Sequence, residues 1–204
     1  MLSETESTAL NAEILVIDKQ STDETSEILG SYHNIKVIQQ TGNGLANARN
    51  EAILYATAAV VGFCDADDMW APGSLDSRMQ IMHSSPQAWG VTGRVRFIDR
   101  TNSTSGLSPR RQAEIEHPGL TPGAILVRRN VFEVAGCFDE SLHIGSDSDW
   151  IVRTSQKLGP LIHVDSVVLH KGIRFGSLST NTETYRQEMQ LIARRFISRV
   201  RNKE

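Results

Sequence analysis

The chain has 204 residues, of which 39% are hydrophobic and 22% charged, with a formal net charge of −3. This length and composition suit one folded domain with a buried core and exclude a disordered chain. The slightly acidic balance excludes an extended nucleic-acid footprint, and no run approaches the roughly 18 apolar residues of a membrane-spanning helix.

The opening residues, MLSETESTALN, are acidic and rich in Ser and Thr. A signal peptide would open with positive charge and an apolar stretch, so a cytoplasmic setting is expected. EILVID (13–18) is a short β-branched apolar run and predicts a buried strand. Ser21 followed by Glu24 has the spacing of a capping box and predicts a helix start. IKVIQ (35–39) alternates as a strand, and Gly42 and Gly44 mark the turn after it. LANARNEAILYATA (45–58) places Leu45, Ala48, Ala52 and Ala56 on one helical face.

AVVGFCD (59–65) predicts a further fully apolar strand, followed by the acidic loop DADD. Pro72 suits the first turn of a helix running to about Ser84. WGVTGRVRFID (89–99) reads as a longer strand, and residues 100–120 as an irregular polar loop. AILVRR (124–129) is strand-like, and NVFEVAG (130–136) is a short helix with Asn130 as cap and Gly136 as stop. DWIVRTSQKLG (149–159) predicts a helix and LIHVDSVVLHK (161–171) a strand. From about Asn181 a last helix carries Tyr185, Met189, Ile192, Phe196 and Val200 along one stripe. Cys64 and Cys137 lack CxxC spacing and are expected to be reduced, buried core thiols.

Strands alternate with helices through the first ninety residues, which predicts an α/β domain with a mostly parallel sheet. Ligands of such sheets gather beyond the carboxyl ends of the strands, where VVGFCDADD presents its aspartates. In an extended segment Asp65 and Asp67 point the same way while Asp68 faces elsewhere. Two carboxylates and water suit a hard cation such as Mg²⁺ or Mn²⁺. The tripeptide alone reads more simply as a loop whose aspartates bond to nearby backbone.

Its context adds a second signal. ILVIDKQSTDET, GNGLANARNEAI and VVGFCDADDMWAPGSL, in that order, resemble the GT-A fold of the family 2 glycosyltransferases, and GAILVRRNVFEVAGCFDESLHIGSDSDWIVR is similar to that family's acceptor-side half. The resemblance covers roughly residues 13–180. It implies one GT-A-like domain, with a nucleotide-sugar-binding half over 12–99, an acceptor half over 100–180 and a C-terminal helix over 181–204.

By that resemblance Asp65 and Asp67 match the DxD element that holds a divalent metal (Mn²⁺ or Mg²⁺) and the diphosphate of a nucleotide-sugar donor. Asp67 is then the principal metal ligand, and Asp65 lies nearer the ribose. Asp18, Arg49 and Asn50 fall on donor-pocket segments, although Arg49 also reads as part of a solvated helix face. Asp147 of GSDSDW aligns with the general base that deprotonates an acceptor hydroxyl, with Ser146 where the family usually has glutamate. Asp147 and Asp149 also suit helix capping. His170 stands where some members add a metal or phosphate contact, and with Arg174, Ser177 and Ser179 it could form a flap. Trp70 is expected to pack beneath the loop.

The implied activity is a metal-dependent, inverting transfer of a sugar from a nucleotide-diphosphate sugar to an acceptor hydroxyl. IDKQSTD departs from the family's VDDGSTD, placing Lys19 and Gln20 where an acid and a glycine are usual. The family's opening strand, turn and helix need roughly thirty residues, and twelve precede Glu13. The first family strand is therefore expected to be missing, leaving three outcomes: the other strands close the gap, another chain fills it, or the donor pocket is incomplete. A homo-oligomer or a partner chain follows from the second outcome. A non-catalytic partner module follows from the third. A further reading is peripheral membrane contact through the last helix, with Arg186, Arg194, Arg195, Arg199, Arg201 and Lys203.

Overall fold

The computed structural model describes residues 12–99, 116–173 and 182–201. The residues of the expected flap beyond Ile173, most of the expected 100–120 loop and Lys203 lie outside them. The first half runs β1 (Ile14–Asp18), α1 (Thr25–Gly30), β2 (Ile35–Gln39), α2 (Gly44–Tyr55), β3 (Val60–Gly62), β4 (Met69–Trp70) and α3 (Ser74–Ser84). The second runs β5 (Gly90–Asp99), β6 (Glu116–Pro118), a 3-10 turn at Pro122–Ala124, β7 (Leu126–Arg128), α4 (Val131–Ala135), α5 (Ser146–Leu158), β8 (Ile162–Ile173) and α6 (Thr182–Arg201).

The architecture is the expected α/β fold, with a sheet that is mixed. β1 pairs with β2 in parallel, Ile14 opposite Ile35 through Asp18 opposite Gln39. The larger sheet has the order β3-β7-β5-β8-β4, with β6 added on β5. Its spine is the parallel pair β5–β8, while β3–β7, β5–β7, β4–β8 and β5–β6 are antiparallel. Parallel neighbours need long, usually helical crossovers. Between β6 and β7 there is only a 3-10 turn, so both strands return antiparallel to β5.

Two apolar layers sandwich this sheet. Alternation along β7 sends Val127 into a layer with Trp89, Phe132, Phe138 and Trp150, and Leu126 into one with Trp70, Leu75, Val95 and Leu169. Phe132 stacks on Trp150 with ring centroids 5.0 Å apart, and Trp89 meets the same ring edge-on. The helix α4 stops at Gly136 (φ 81°) and α5 at Gly159 (φ 86°), backbone angles that a side chain would strain.

Several local expectations give way to tertiary contacts. The Ser21–Glu24 capping box does not form: Ser21 donates its N–H and hydroxyl to the Asp18 carboxylate, and α1 begins at Thr25. On α2 the core takes Ala46, Arg49 and Ile53, whereas Leu45, Ala48, Ala52 and Ala56 line a cleft. Residues 116–118 are strand, not loop, and α5 starts three residues earlier than expected. Cys137 is exposed and Cys64 half-buried, so only Cys64 approaches the expected core thiol. Of the expected stripe on α6 only Ile192 is buried; Tyr185, Phe196 and Val200 are exposed.

Candidate active site

The carboxyl end of β3 leads into a turn closed by the Asp68 N–H donating to the Asp65 carbonyl at 2.9 Å. This turn ends the strand's alternation, so Asp68, not Asp67, shares a partner with Asp65. The Lys171 ammonium, from β8, lies 3.1 Å from the Asp68 carboxylate and 3.5 Å from that of Asp65. The Gly172 N–H donates to the other Asp68 oxygen at 3.0 Å. Beneath the turn, Trp70 is buried as expected, donating its indole N–H to the Gly123 carbonyl at 2.8 Å with the Arg78 guanidinium over its ring.

Arg49 joins this turn to the acceptor-side half. It sits on the buried face of α2, one turn from Ala46 and Ile53, only 4% exposed. Its guanidinium lies 5.6 Å from the Phe138 ring centroid and 6.0 Å from that of Phe63, within cation–π range. One arm donates to Asp65 at 3.1 Å and another to Asp147. Arg49 is buried, so the expected solvated helix face is not its setting. Among the described residues, three carboxylates (Asp65, Asp68 and Asp147) thus face two cations (Arg49 and Lys171).

Asp147 occupies the first turn of α5, whose N-terminal end favours negative charge. Burial raises its pKa above the ordinary carboxylate range, with Arg49 opposing and Asp65 adding to the rise. Burial also raises Asp68, against the pull of Lys171. Burial by itself would lower Lys171, but Asp68 and Asp65 outweigh it and the ammonium is held above its usual value.

The remaining expected residues stand apart from this cluster. Asp18 ends β1 and caps its own turn through Ser21, while Lys19 donates to the Asn43 side chain. The Asn50 amide is committed to the acceptor-side half: it donates to the Phe138 carbonyl at 3.0 Å and accepts from the Phe138 N–H at 2.9 Å. His170 pairs in register with Met69 and Arg96. Adjacent strand residues face opposite sides, so Lys171 and not His170 reaches the acids. Burial, then the Arg96 charge, depresses the His170 pKa.

Among the described residues no group of three or more His, Cys, Asp or Glu side chains could cage a metal ion. Asp65 and Asp67, the expected ligands, offer carboxylate oxygens. A hard cation that keeps waters and shares a ligand's phosphates needs only one or two such carboxylates.

The profile described as Glycosyl transferase family 2 matches residues 2–138. The chain belongs to this family. The putative teichuronic acid biosynthesis glycosyltransferase TuaG of Bacillus subtilis is 34% identical over 86 residues, covering 40% of this chain and 34% of that protein. The succinoglycan biosynthesis protein ExoU of Rhizobium meliloti is 27% identical over 169 residues, 70% of this chain and 48% of ExoU. The chain therefore spans about a third to a half of these relatives. Staphylococcus aureus TarS 1-349, solved in complex with UDP-GlcNAc, superposes with a TM-score of 0.71 at 20% identity, over 95% of this chain and 60% of that one. At that identity the likeness speaks for the fold, the same GT-A-type α/β architecture.

Within this family 2 chain, three contributors have no local sequence signature. Lys171 and Asp68 meet only because β8 and β4 are paired. Glu188, from α6, accepts N–H groups of His143, Ile144 and Gly145 at 2.8, 2.9 and 2.6 Å and so fixes the entry to α5. A Cβ at Gly145 would lie 2.9 Å from both Ile192 and Met189, so glycine lets α6 pack this closely. Arg195 reaches Asp139 at 2.8 Å and Arg199 lies 3.6 Å from buried Asp149, so two of the basic residues counted toward a membrane face turn inward. Among the described residues no helix is long and apolar enough to cross a membrane.

Proposed function

We propose that this chain carries the catalytic centre of an inverting glycosyltransferase, moving a sugar from a nucleoside-diphosphate sugar to an acceptor hydroxyl. The observation that carries the reading is the Arg49 bridge, which sets Asp147 opposite the Asp65 turn across one buried guanidinium. Asp147 takes the proton from the acceptor oxygen, the upward direction of its pKa shift making it a stronger base than an ordinary carboxylate. Attack from that side displaces the diphosphate on the other and inverts the anomeric carbon. Asp65 and Asp67 would hold Mn²⁺ or Mg²⁺, which when bound supplies positive charge to the departing diphosphate. Arg49 positions the two carboxylates, and Lys171 adds fixed positive charge on the diphosphate side. The UDP-GlcNAc held by TarS supports a nucleotide-sugar donor.

A second reading, a glycosyltransferase-like partner module without donor binding, draws on the open cleft beside β1 and on Lys19, which bonds to Asn43 where the family usually has an acid. Calorimetric titration with UDP, GDP and dTDP, with and without Mn²⁺, separates the two. The enzyme reading expects metal-dependent binding of one nucleotide that is lost in Asp67→Ala. Silence from all three nucleotides in a folded sample sinks it in favour of the module.

A further inference from the structure

Among the described residues α6 packs chiefly on α5, and of its apolar side chains only Ile192 is buried. Its polar contacts fall on the two flanks of Asp147. On one flank, the buried Glu188 accepts the His143 N–H on Oε1 at 2.8 Å and the Ile144 and Gly145 N–H groups on Oε2 at 2.9 and 2.6 Å. Gly145 stands two residues before Asp147. On the other flank, Arg199 and Arg195 lie 3.6 and 3.8 Å from the carboxylate of Asp149, two residues after it. Arg195 also reaches Asp139 at 2.8 Å, beside the Phe138 ring that packs on the Arg49 guanidinium. We infer that Glu188 is a positioning residue: by holding the His143–Gly145 backbone it sets the Asp147 carboxylate against Arg49, so that docking of α6 serves the transfer step and not donor binding. The inference rests on the reading of Asp147 as the base.

Successive backbone N–H groups converging on one point make a concave nest that suits an anion. Bonds from such groups to a carboxylate are about twice as strong as neutral ones. Three of them, made to consecutive residues by one side chain, leave the segment little freedom to rotate. The first turn of α5 grows directly from it, the Asp149 N–H donating to the Gly145 carbonyl at 2.9 Å. No side chain caps this helix start, so Glu188 is what fixes its direction. Asp147, the second residue of α5, moves with that turn. Its bond to Arg49 is directional, and a displacement of about 1 Å in an aligned reacting group costs roughly 100-fold in rate.

The distribution of contacts sets this role apart from plain stabilisation. A helix docked for its apolar face buries a stripe, whereas α6 leaves Tyr185, Phe196, Ile197 and Val200 exposed. The donor-side turn is held separately, by Arg49 on Asp65 and by Lys171 and the Gly172 N–H on Asp68.

Glu188→Gln tests the inference, keeping the size of the side chain but turning an N–H₂ group toward the nest. The first measurement is the double-mutant cycle of Arg49→Met and Asp147→Asn by urea unfolding, run in the parent and in the Glu188→Gln background. The coupling between Arg49 and Asp147, read as a ratio of unfolding constants, is expected to fall about fivefold or more. A helix that only adds stability lowers all members of the cycle alike, so an unchanged coupling overturns the inference. The second measurement is the hydrolysis of UDP-GlcNAc with Mn²⁺, water standing in for the acceptor. There kcat is expected to fall roughly 100-fold with KM unchanged; a raised KM at constant kcat overturns the inference, because Glu188 would then serve donor binding. Ile197→Ala, on the exposed side of α6, is expected to alter neither reading. Should Glu188→Gln fail to fold with Arg49→Met, Glu188→Asp, with its charge on a shorter stem, takes its place. A parent that binds no nucleotide counts against the proposed function alone, and the cycle still decides whether Glu188 positions Asp147.

Discussion

Arg49 is the residue on which the proposed centre most depends, and Arg49→Met isolates its charge. Methionine keeps an apolar stem between Phe63 and Phe138 while removing the cation that joins Asp65 to Asp147. Removing one member of a buried ion pair costs about 3–5 kcal/mol, because the partner is left charged and unpaired. Here the stranded carboxylates keep 24% and 23% of their side-chain exposure, so water recovers part of the loss. The lower end, about 3 kcal/mol, is the working value. For a chain of this length that is a fall in Tm of roughly 6–12 °C. Urea unfolding followed by tryptophan fluorescence measures it directly, since Trp89 and Trp150 lie in the adjoining core layer. Adding Asp147→Asn to Arg49→Met removes one stranded charge and is expected to restore about 1–2 kcal/mol. An Arg49→Met variant within 0.5 kcal/mol of the parent, roughly the noise of such measurements, would refute the claim that a buried bridge organises the site. So would a double variant no more stable than the single.

Glu188 carries a pH signature. Burial tends to raise its pKa, but the three backbone N–H groups outweigh this and hold it below the ordinary carboxylate value. The stability it contributes is then present above the unfolded pKa of about 4.3 and lost as pH falls through the lower folded value. Glu188→Gln is expected to cost about 2 kcal/mol at pH 7, with the gap to the parent closing in acid; a gap unchanged by pH argues against the charge. The two cysteines offer a chemical check. Burial pushes the Cys64 thiol up to about 11, and Cys137 is exposed, so maleimide should label Cys137 first, by roughly tenfold or more. Equal rates would contradict the placement of Cys64 behind the Asp65–Asp68 turn.

Several local strand and helix-stop signals were legible in the chain. The apolar runs at 13–18, 35–39 and 89–99 became strands, and the glycines at 136 and 159 ended helices. Backbone propensity and side-chain period act over a few residues, so at these positions they needed no distant contact. The same holds for Asp147, whose position at a helix start follows from GSDSDW, and for Trp70 under its loop.

What depended on distant contacts was not legible. Strand alternation pairs Asp65 with Asp67, but the turn and the β4–β8 pairing give Asp65 and Asp68 a common lysine 103 residues beyond Asp68. Arg49 reads equally as surface or pocket until α2 is docked with Ala46 and Ile53 inward. The face of α2 that periodicity marks as core instead borders a cleft, while Ala46, Arg49 and Ile53 take the buried side. The sequence by itself determined the elements, their order and the carboxylates that chemistry could use. Only the tertiary structure decided which charges meet and which apolar face is left open, because both depend on how strands pair across the sheet.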